Sequence, residues 1–250
     1  MTPLVFAHRG ASADLPEHTR GAYLRAIADG ADGFECDVRL TRDGHLVCIH
    51  DGTVARTSGG RGRVSSSTLD ELRQLDFAGP GATEAARILT LDELLGIARG
   101  AGRPVRLLVE TKHPSRFGSA VEQRLVDLLD QHGLRDGSDP QLRVTVMSFS
   151  PLAVRTVRGL APALDTVYLF ELAPPRVRDG RPPFGAGLLG PGLNALRARP
   201  ELVARAHERG HQVYVWTVNT AEDVELAVGL GVDGLISDRP GFVLARLGRA

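Results

Sequence analysis

Short runs of β-forming residues alternate with helical segments along the whole chain, and this alternation limits the possible folds more than any other feature. Parallel strands need a crossover of a dozen or more residues between them, and the helical segments would supply it. Eight strands fit into 250 residues, a length typical of one closed (β/α)₈ barrel. The predicted strands are Leu4–Ala7, Gly33–Leu40, Val105–Glu110, Arg143–Ser148, Thr166–Phe170, Gly187–Leu189, Gln212–Thr217 and Gly234–Ser237.

A weak internal repeat supports the barrel. Ala26–Asp37 and Ala227–Asp238 each contain a helix that stops at a glycine, Gly30 or Gly231, and an Asp-Gly pair that opens a strand ending at an aspartate. We therefore predict an α/β fold, a TIM (β/α)₈ barrel that spans 1–250 as a single domain. The predicted helices are Thr19–Asp29, Leu69–Leu75, Leu91–Arg99, Ala120–His132, Leu152–Gly159, Pro200–Arg209, Ala221–Gly229 and Gly241–Leu247.

Residues 51–90 form the longest irregular stretch, rich in glycine and serine around one short predicted helix. This stretch is too long for an ordinary strand-to-helix loop. We interpret it as a small insertion after the second strand, close to the functional site. Wall residues from this insertion and from the late loops are expected to determine which substrates fit, and no motif identifies those residues.

The overall charge argues against a polyanionic partner. Lys+Arg and Asp+Glu number 30 each, so the formal net charge is zero and no surplus of basic charge is available for nucleic acid. No long apolar stretch or signal sequence is present, which predicts no stable membrane association and a cytoplasmic location. Two cysteines, Cys36 and Cys48, are too few for a disulfide framework. The oligomeric state stays open.

Carboxylates follow the predicted strands at the end where TIM barrels carry their active sites. Glu35 and Asp37 are two residues apart on one strand and share a face, and Glu110 ends the next strand. Adjacent carboxylates repel each other unless a cation lies between them. Three hard oxygen donors favour one Ca²⁺ or Mg²⁺ over zinc. A competing interpretation pairs these carboxylates with nearby arginines.

Two histidines are predicted to approach the carboxylates. His8 ends the first strand, and Asp43-Gly44 reads as a two-residue hairpin turn whose register would place His50 directly opposite Asp37. Histidine exchanges protons near neutral pH, so His8 and His50 are candidates for a general acid and a general base.

Positive charge is predicted at the same end of the barrel. The 30 basic residues comprise 29 arginines and a single lysine, Lys112, which suggests a position where a compact ammonium is required. With a divalent cation, Arg9 and Lys112 would clamp a phosphoryl group. Arg9 has an alternative role in a salt bridge to Glu17 or Glu35. Trp216 is a candidate wall of the substrate pocket, and a core position is an equally good interpretation.

Several ordered motifs together resemble the glycerophosphodiester phosphodiesterases, of the short cytoplasmic bacterial type. The similarity covers nearly the whole chain, and the ordered set is more specific than any one motif. The motifs are His8-Arg9-Gly10-Ala11, Pro16-Glu17-His18-Thr19, Glu35-x-Asp37-Val38, Thr41-x-Asp43-Gly44, His50-Asp51, Leu89-Thr90-Leu91-x-Glu93, Glu110-Thr111-Lys112, Val215-Trp216-Thr217-Val218-Asn219 and Asp233-Gly234 through Pro240.

The resemblance implies a TIM barrel that cleaves small glycerophosphodiesters to sn-glycerol 3-phosphate and an alcohol, in glycerophospholipid degradation, with one Ca²⁺ or Mg²⁺. It also implies that Glu35, Asp37 and Glu110 hold the metal. By the same resemblance, His8 and His50 form the acid/base pair, and Arg9 and Lys112 bind phosphate. His18 departs from the family pattern, where asparagine is frequent. The alternatives are a lysophospholipase D or sphingomyelinase-like lipid phosphodiesterase, and a non-catalytic barrel that binds phosphorylated ligands.

Overall fold

A computed structural model describes residues 2–79 and 86–249, and its strands close into a barrel. Eight strands are parallel, and the first pairs with both the second and the last, which closes the sheet. The predicted TIM barrel is therefore confirmed. The strands are β1 Leu4–His8, β2 Gly33–Leu40, β3 Leu46–Cys48, β4 Val105–Thr111, β5 Leu142–Ser148, β6 Asp165–Phe170, β7 Leu188–Pro191, β8 Gln212–Trp216 and β9 Gly234–Ser237.

Helices connect the barrel strands, and most agree with the prediction to within two residues at each end. The sequence analysis missed two short helices, α2 at Ala55–Ser58 and α7 at Leu193–Ala198. No helix of the described residues is both long and apolar enough to cross a bilayer. The helices are α1 Arg20–Ala28, α2 Ala55–Ser58, α3 Leu69–Arg73, α4 Leu91–Arg99, α5 Ala120–Gln131, α6 Pro151–Leu160, α7 Leu193–Ala198, α8 Glu201–His207, α9 Ala221–Leu230 and α10 Pro240–Arg246, with single 3₁₀ turns at Val64–Ser66, Pro175–Val177 and Pro183–Gly185.

Helix boundaries follow local capping chemistry. The hydroxyls of Thr90 and Thr220 accept hydrogen bonds from the backbone amides three residues ahead, and the carboxylates of Glu93 and Asp223 accept from the backbone amides of these threonines. Helices α4 and α9 therefore each begin with a capping box. At the other end of α9, Gly231 adopts φ 77°, the left-handed conformation predicted from the repeat.

The alternation of side chains along β2 separates the barrel interior from the outer core. Phe34 and Cys36 pack outward against the helices within a large buried cluster, on the face opposite to the one that Glu35 and Asp37 were predicted to share. Glu35 and Asp37 point inward, above an interior layer that includes Phe6 and Leu108. The polar end of β2 therefore faces the barrel mouth because the apolar residues of the same strand face the helices.

The segment after β2 has a small hydrophobic core of its own. The β3 strand pairs antiparallel with β2, and the side chains that follow it pack with those of α3. The predicted insertion 51–90 covers most of this segment, and its residues 80–85 lie outside the described residues. Its buried core residues are Val47, Ile49, Val54, Val64, Leu69, Leu72, Phe77 and Ile88.

The predicted register of the β2–β3 hairpin is wrong by one residue. Val38 pairs with Cys48 and Leu40 with Leu46, and the amide of Ile49, not of His50, donates to the carbonyl of Asp37. The turn has three residues instead of two and ends at Gly44, with φ 86°. The turn is longer because the Asp43 side chain accepts hydrogen bonds from the backbone amide of Leu69 in the insertion.

We expect Gly10→Ala to destabilise the fold by about 2–5 kcal/mol. Gly10 has φ +84°, and an added Cβ would lie 2.7 Å from the backbone carbon of Ala22 in α1. Gly30 is a matched control because it has φ +83° with nothing within 4 Å of its Cβ position. Gly30→Ala should cost only about 1–2 kcal/mol for the left-handed backbone. Urea denaturation checks both, and equal losses in the two variants would contradict the steric argument.

Candidate active site

A cavity of about 200 Å³ opens at the mouth of the barrel, at the carboxyl ends of the strands. Seven of the eight residues predicted for the site line it, and the eighth, Asp37, lies buried beside it. Residues of β5, β6 and β9 complete the wall. The lining residues are His8, Arg9, Glu35, His50, Glu110, Lys112, Met147, Phe149, Leu169, Glu171, Trp216, Thr217 and Ile236.

Three buried carboxylates meet at one side of this cavity. One oxygen from each of Glu35, Asp37 and Glu110 lies within 4.8 Å of the others. Burial, with repulsion from Asp37, raises the pKa of Glu110 to about 8 and that of Glu35 well above its usual value. The cluster is therefore short of positive charge. Its three hard oxygen donors suit Ca²⁺ or Mg²⁺, which would relieve the repulsion.

Asp37 differs from the other two carboxylates because basic side chains surround it. Burial alone would raise its pKa, but a hydrogen bond from His18 and the charges of Lys112 and Arg9 hold the pKa well below its usual value. Its oxygens lie 3.0 Å from Nε2 of His18, 3.1 Å from Nζ of Lys112 and 3.1 Å from Nε of Arg9. The arginine pairing weighed in the sequence analysis is therefore present, alongside the acidic cluster.

His18 is a residue of the site that the sequence analysis left without a role. It is buried, and burial lowers its pKa, so the ring is neutral and donates from Nε2 to Asp37. Nδ1 then accepts from the hydroxyl of Tyr23, 2.9 Å away. His18 has φ 60°, a left-handed backbone that asparagine adopts more readily than histidine. The position at which histidine replaces the frequent asparagine of the family is therefore one that contacts Asp37.

His8 is held by the end of the last strand. Its Nδ1 lies 2.6 Å from Oδ1 of Asp238, which also accepts hydrogen bonds from Asn219 and Ser12. Burial alone would raise the pKa of Asp238, but these bonds lower it to about 2. The ionised carboxylate can only accept, so Nδ1 of His8 carries its proton and Nε2 is left for the cavity, 3.9 Å from Glu35.

His50 is oriented in the same way by its neighbour. Its Nδ1 lies 2.8 Å from Oδ1 of Asp51, whose pKa the hydrogen bond from Arg56 lowers to about 2. Arg56 also donates two hydrogen bonds to Glu17, which pairs with Arg9. The predicted strand pairing of His50 with Asp37 was wrong. His50 nevertheless reaches the cavity, because β3 ends at Cys48 and the chain turns towards the cavity after it. Burial lowers the pKa of His50, so its ring is neutral at pH 7.

The remaining predicted residues lie around these groups. Nζ of Lys112 is 2.8 Å from Glu110; burial lowers its pKa, but the carboxylates of Asp37 and Glu110 outweigh burial and raise it overall. Arg9 forms a salt bridge to Glu17, which was the alternative role predicted for it. Trp216 both lines the cavity and packs on the barrel interior, with its indole nitrogen bonded to the carbonyl of Gly190.

The sequence of the chain matches one family over most of its length. The model of the glycerophosphoryl diester phosphodiesterase family covers residues 8–242. The chain belongs to this family. The resemblance inferred from the motifs is therefore confirmed, and so is the assignment to an enzyme family of phosphodiesterases.

Curated relatives and solved structures agree with this assignment. A Mycobacterium tuberculosis protein described as a probable glycerophosphodiester phosphodiesterase 1 is 45% identical, over 99% of this chain and 94% of that protein. A glycerophosphodiester phosphodiesterase of Caldanaerobacter subterraneus is 35% identical, over 96% of each chain. An Oleispira antarctica phosphodiesterase in complex with the product sn-glycerol-3-phosphate superposes with a TM-score of 0.88 at 25% identity, over 99% of this chain and 97% of that chain.

The bond between His8 and Asp238 predicts a pH-dependent stability. Because the pKa of Asp238 is lower in the fold than in the unfolded chain, its carboxylate stabilises the fold above about pH 4, and this contribution is lost as the pH falls towards 2. About a third of the side chain is exposed. We therefore expect Asp238→Asn to cost only about 1–2 kcal/mol at pH 6, and less at pH 3.

Urea denaturation at pH 6 and pH 3 measures this difference. The control is Asp127→Asn on the exposed face of α5, which should change stability by less than about 0.5 kcal/mol at either pH. A loss for Asp238→Asn that is the same at both pH values would show that the carboxylate charge contributes nothing.

Proposed function

We propose that the chain hydrolyses water-soluble glycerophosphodiesters to sn-glycerol 3-phosphate and an alcohol, with a divalent cation and with His8 and His50 as proton carriers. One observation supports the proposal most strongly. Two histidines that are held by neighbouring carboxylates, three buried carboxylates and two basic side chains all meet at one cavity. Removal of the acyl chains from membrane glycerophospholipids would supply such diesters, so the proposed role of the reaction is in glycerophospholipid degradation.

The residues of the chain divide the chemistry between binding and proton transfer. Arg9 and Lys112 bind the non-bridging oxygens of the phosphoryl group, which gain charge in the transition state. The 2-hydroxyl of glycerol attacks phosphorus in line, and one neutral histidine accepts its proton at Nε2. The other histidine enters this step as an imidazolium and protonates the alcohol oxygen from Nε2 as the bond of that oxygen to phosphorus breaks. A water molecule then opens the resulting cyclic phosphate with the proton transfers reversed. Each histidine therefore both accepts and donates a proton.

Glu35, Asp37 and Glu110 would hold the cation, Ca²⁺ or Mg²⁺. When bound, the ion neutralises charge on the phosphoryl group and lowers the repulsion within the acidic cluster. Lys112 contributes a second positive charge against the same carboxylates, at 2.8 Å from Glu110.

A panel of glycerophosphodiesters tests the proposed function. Purified protein is incubated with glycerophosphocholine, glycerophosphoethanolamine and glycerophosphoglycerol in Ca²⁺, Mg²⁺ or EDTA, and glycerol 3-phosphate is measured. Turnover with a cation and none in EDTA is expected. A substrate that lacks the 2-hydroxyl distinguishes attack by this hydroxyl from direct attack of water on the diester. Hydrolysis of that substrate at the normal rate would show direct attack by water. Absence of turnover with every substrate and cation would overturn the proposal.

A lysophospholipase D activity is the second candidate, and exposed apolar side chains favour it. Phe149, Leu152 and Leu172 are 39%, 69% and 79% exposed and follow the ends of β5 and β6 along the chain, and Phe149 lines the cavity. An acyl chain could lie along these residues. Turnover of lysophosphatidylcholine at a higher kcat/KM than glycerophosphocholine would establish this activity, whereas the reverse order favours the water-soluble substrates.

A further inference from the structure

We propose that a second, basic cavity beside the reaction cavity binds an anionic group on the departing alcohol, so that glycerophosphodiesters with acidic alcohols are the preferred substrates. This inference rests on the proposed function and adds the substrate class to it. The second cavity, of about 110 Å³, lies between the insertion and the loop after β4.

The charge of this cavity is its main feature. Four basic residues line it, Arg39, Arg63, Lys112 and Arg116, and no carboxylate of the described residues does. Lys112 is paired with two carboxylates of the acidic cluster, so the three arginines supply the positive charge of this cavity. In a chain with zero formal net charge, such a concentration is a local positive site. Ser65 and the open space beside Gly52, whose Cβ position has no atom closer than 3.9 Å, add room and a hydroxyl donor.

The three arginines have no carboxylate partner within the described residues 2–79 and 86–249. Arg39 is half-buried and bonds through Nε to the carbonyl oxygen of His50, and Arg116 bonds to the carbonyl and hydroxyl oxygens of Ser65 and Ser66. Burial lowers the pKa of Arg39, as expected for a guanidinium that lacks a paired anion. Guanidinium groups with free N–H donors suit a carboxylate or a phosphate.

Lys112 connects the two cavities. Its side chain lines both, and Arg39 contacts the backbone of His50, which lines the reaction cavity. A phosphodiester held at Lys112 would therefore place one substituent in each cavity.

The two cavities differ in the charge that they accept. Glu171 lines the reaction cavity on the side of Phe149 and Trp216, where a carboxylate accepts hydrogen bonds from hydroxyls and repels an anion. That side suits glycerol. The arginine cavity repels a cation and attracts an anion, so the departing alcohol lies there and its acidic group determines the preference.

Two substrate pairs test the proposal, because each pair differs only by an anionic group. Glycerophosphoserine and glycerophosphoethanolamine differ by a carboxylate, and glycerophosphoinositol 4-phosphate and glycerophosphoinositol differ by a phosphate. The wild-type chain should show a kcat/KM at least about tenfold higher for the acidic member of one pair, the size expected for a charge-assisted hydrogen bond. The pair with the larger ratio identifies the anion. Raising the ionic strength should reduce the ratio.

The variant Arg63→Gln/Arg116→Gln should bring the preferred ratio to near one. The matched control is Arg155→Gln, an exposed arginine on α6, which should leave the ratio at the wild-type value. Circular dichroism melting confirms that the variants are folded. Equal kcat/KM within both pairs for the wild-type chain, or a ratio that survives in the double variant, would overturn the proposal.

A binding measurement separates this proposal from the proposed function. O-phosphoserine and phosphoethanolamine carry the phosphate and the alcohol but no glycerol, so they are monoesters without the 2-hydroxyl that attacks phosphorus. Calorimetry should show tighter binding of O-phosphoserine by the wild-type chain and no difference for the double variant, even if no diester is hydrolysed. Equal binding of the two compounds by the wild-type chain, together with equal turnover, would refute the basic subsite while leaving the proposed function intact.

Discussion

Replacing His50 with alanine is expected to lower kcat for glycerophosphodiesters by about 10²–10⁴-fold, and His8→Ala by a similar factor. Asp51 and Asp238 fix the protonated nitrogen of each ring, so each histidine leaves Nε2 for proton transfer. KM should change far less, because phosphate binding is assigned to Arg9 and Lys112. Steady-state kinetics with glycerophosphoglycerol measures both parameters.

The control for these variants is His45→Ala. His45 directly follows the hairpin turn, its side chain is exposed, and among the described residues it forms an ion pair with Asp43, so kcat should stay within about twofold of the wild-type value. Retention of more than a tenth of the wild-type kcat by His50→Ala would remove His50 from proton transfer.

Glu110→Gln is expected to have opposite effects on activity and on stability. The substitution replaces one of the three proposed ligands of the cation by a weaker, uncharged donor, so activity should fall by about 10³-fold or more. In EDTA at pH 8.5, however, the variant should be more stable than the wild-type chain by about 1–3 kcal/mol, because a buried carboxylate with a pKa raised to about 8 opposes folding when ionised.

The sign of the expected stability change follows from the pH at which Glu110 ionises. The folded pKa of Glu110 lies above its unfolded value, so the destabilisation is present at high pH and is relieved as the pH falls through about 8 towards the unfolded value. The stability gain of Glu110→Gln in EDTA should therefore shrink by pH 5. In Ca²⁺ or Mg²⁺ the order should reverse, since the cation stabilises the wild-type site more strongly. Glu208→Gln is the control, because its side chain is exposed at the end of α8 and lies no closer than 3.8 Å to the neighbouring guanidinium of Arg209. A wild-type chain whose melting temperature and activity are unaffected by EDTA would contradict cation binding.

Much of the fold was predictable because it depends on local periodicity. The inward face of β2 follows from alternation alone, so Glu35 and Asp37 could be placed at the barrel mouth before Phe34 and Cys36 were seen to pack outward. Glycine at the end of α9 determined where that helix stops. The helices α2 and α7 were missed because four and six residues are too few to show the helical periodicity of apolar side chains.

The position of His50 shows where local reasoning fails. Asp43-Gly44 favours a two-residue turn in isolation, but the Asp43 carboxylate accepts from the amide of Leu69, 26 residues along the chain, and the turn lengthens to three residues. A contact with the insertion therefore decided the register. His50 still reaches the cavity through the irregular backbone after β3, which no pairing rule describes.

The sequence by itself determined the barrel, the inward-facing carboxylates and the residue types that meet at its mouth, because strand alternation and the common polarity of parallel strands act over a few residues at a time. Only the tertiary structure decided how those residues are held. Asp238 reaches His8 across 230 residues through closure of the barrel, and His18 reaches Asp37 through a left-handed turn. Arg39, Arg63 and Arg116 meet in one cavity because the insertion packs beside β4. Such contacts depend on the complete packing of the chain, and no short segment encodes them.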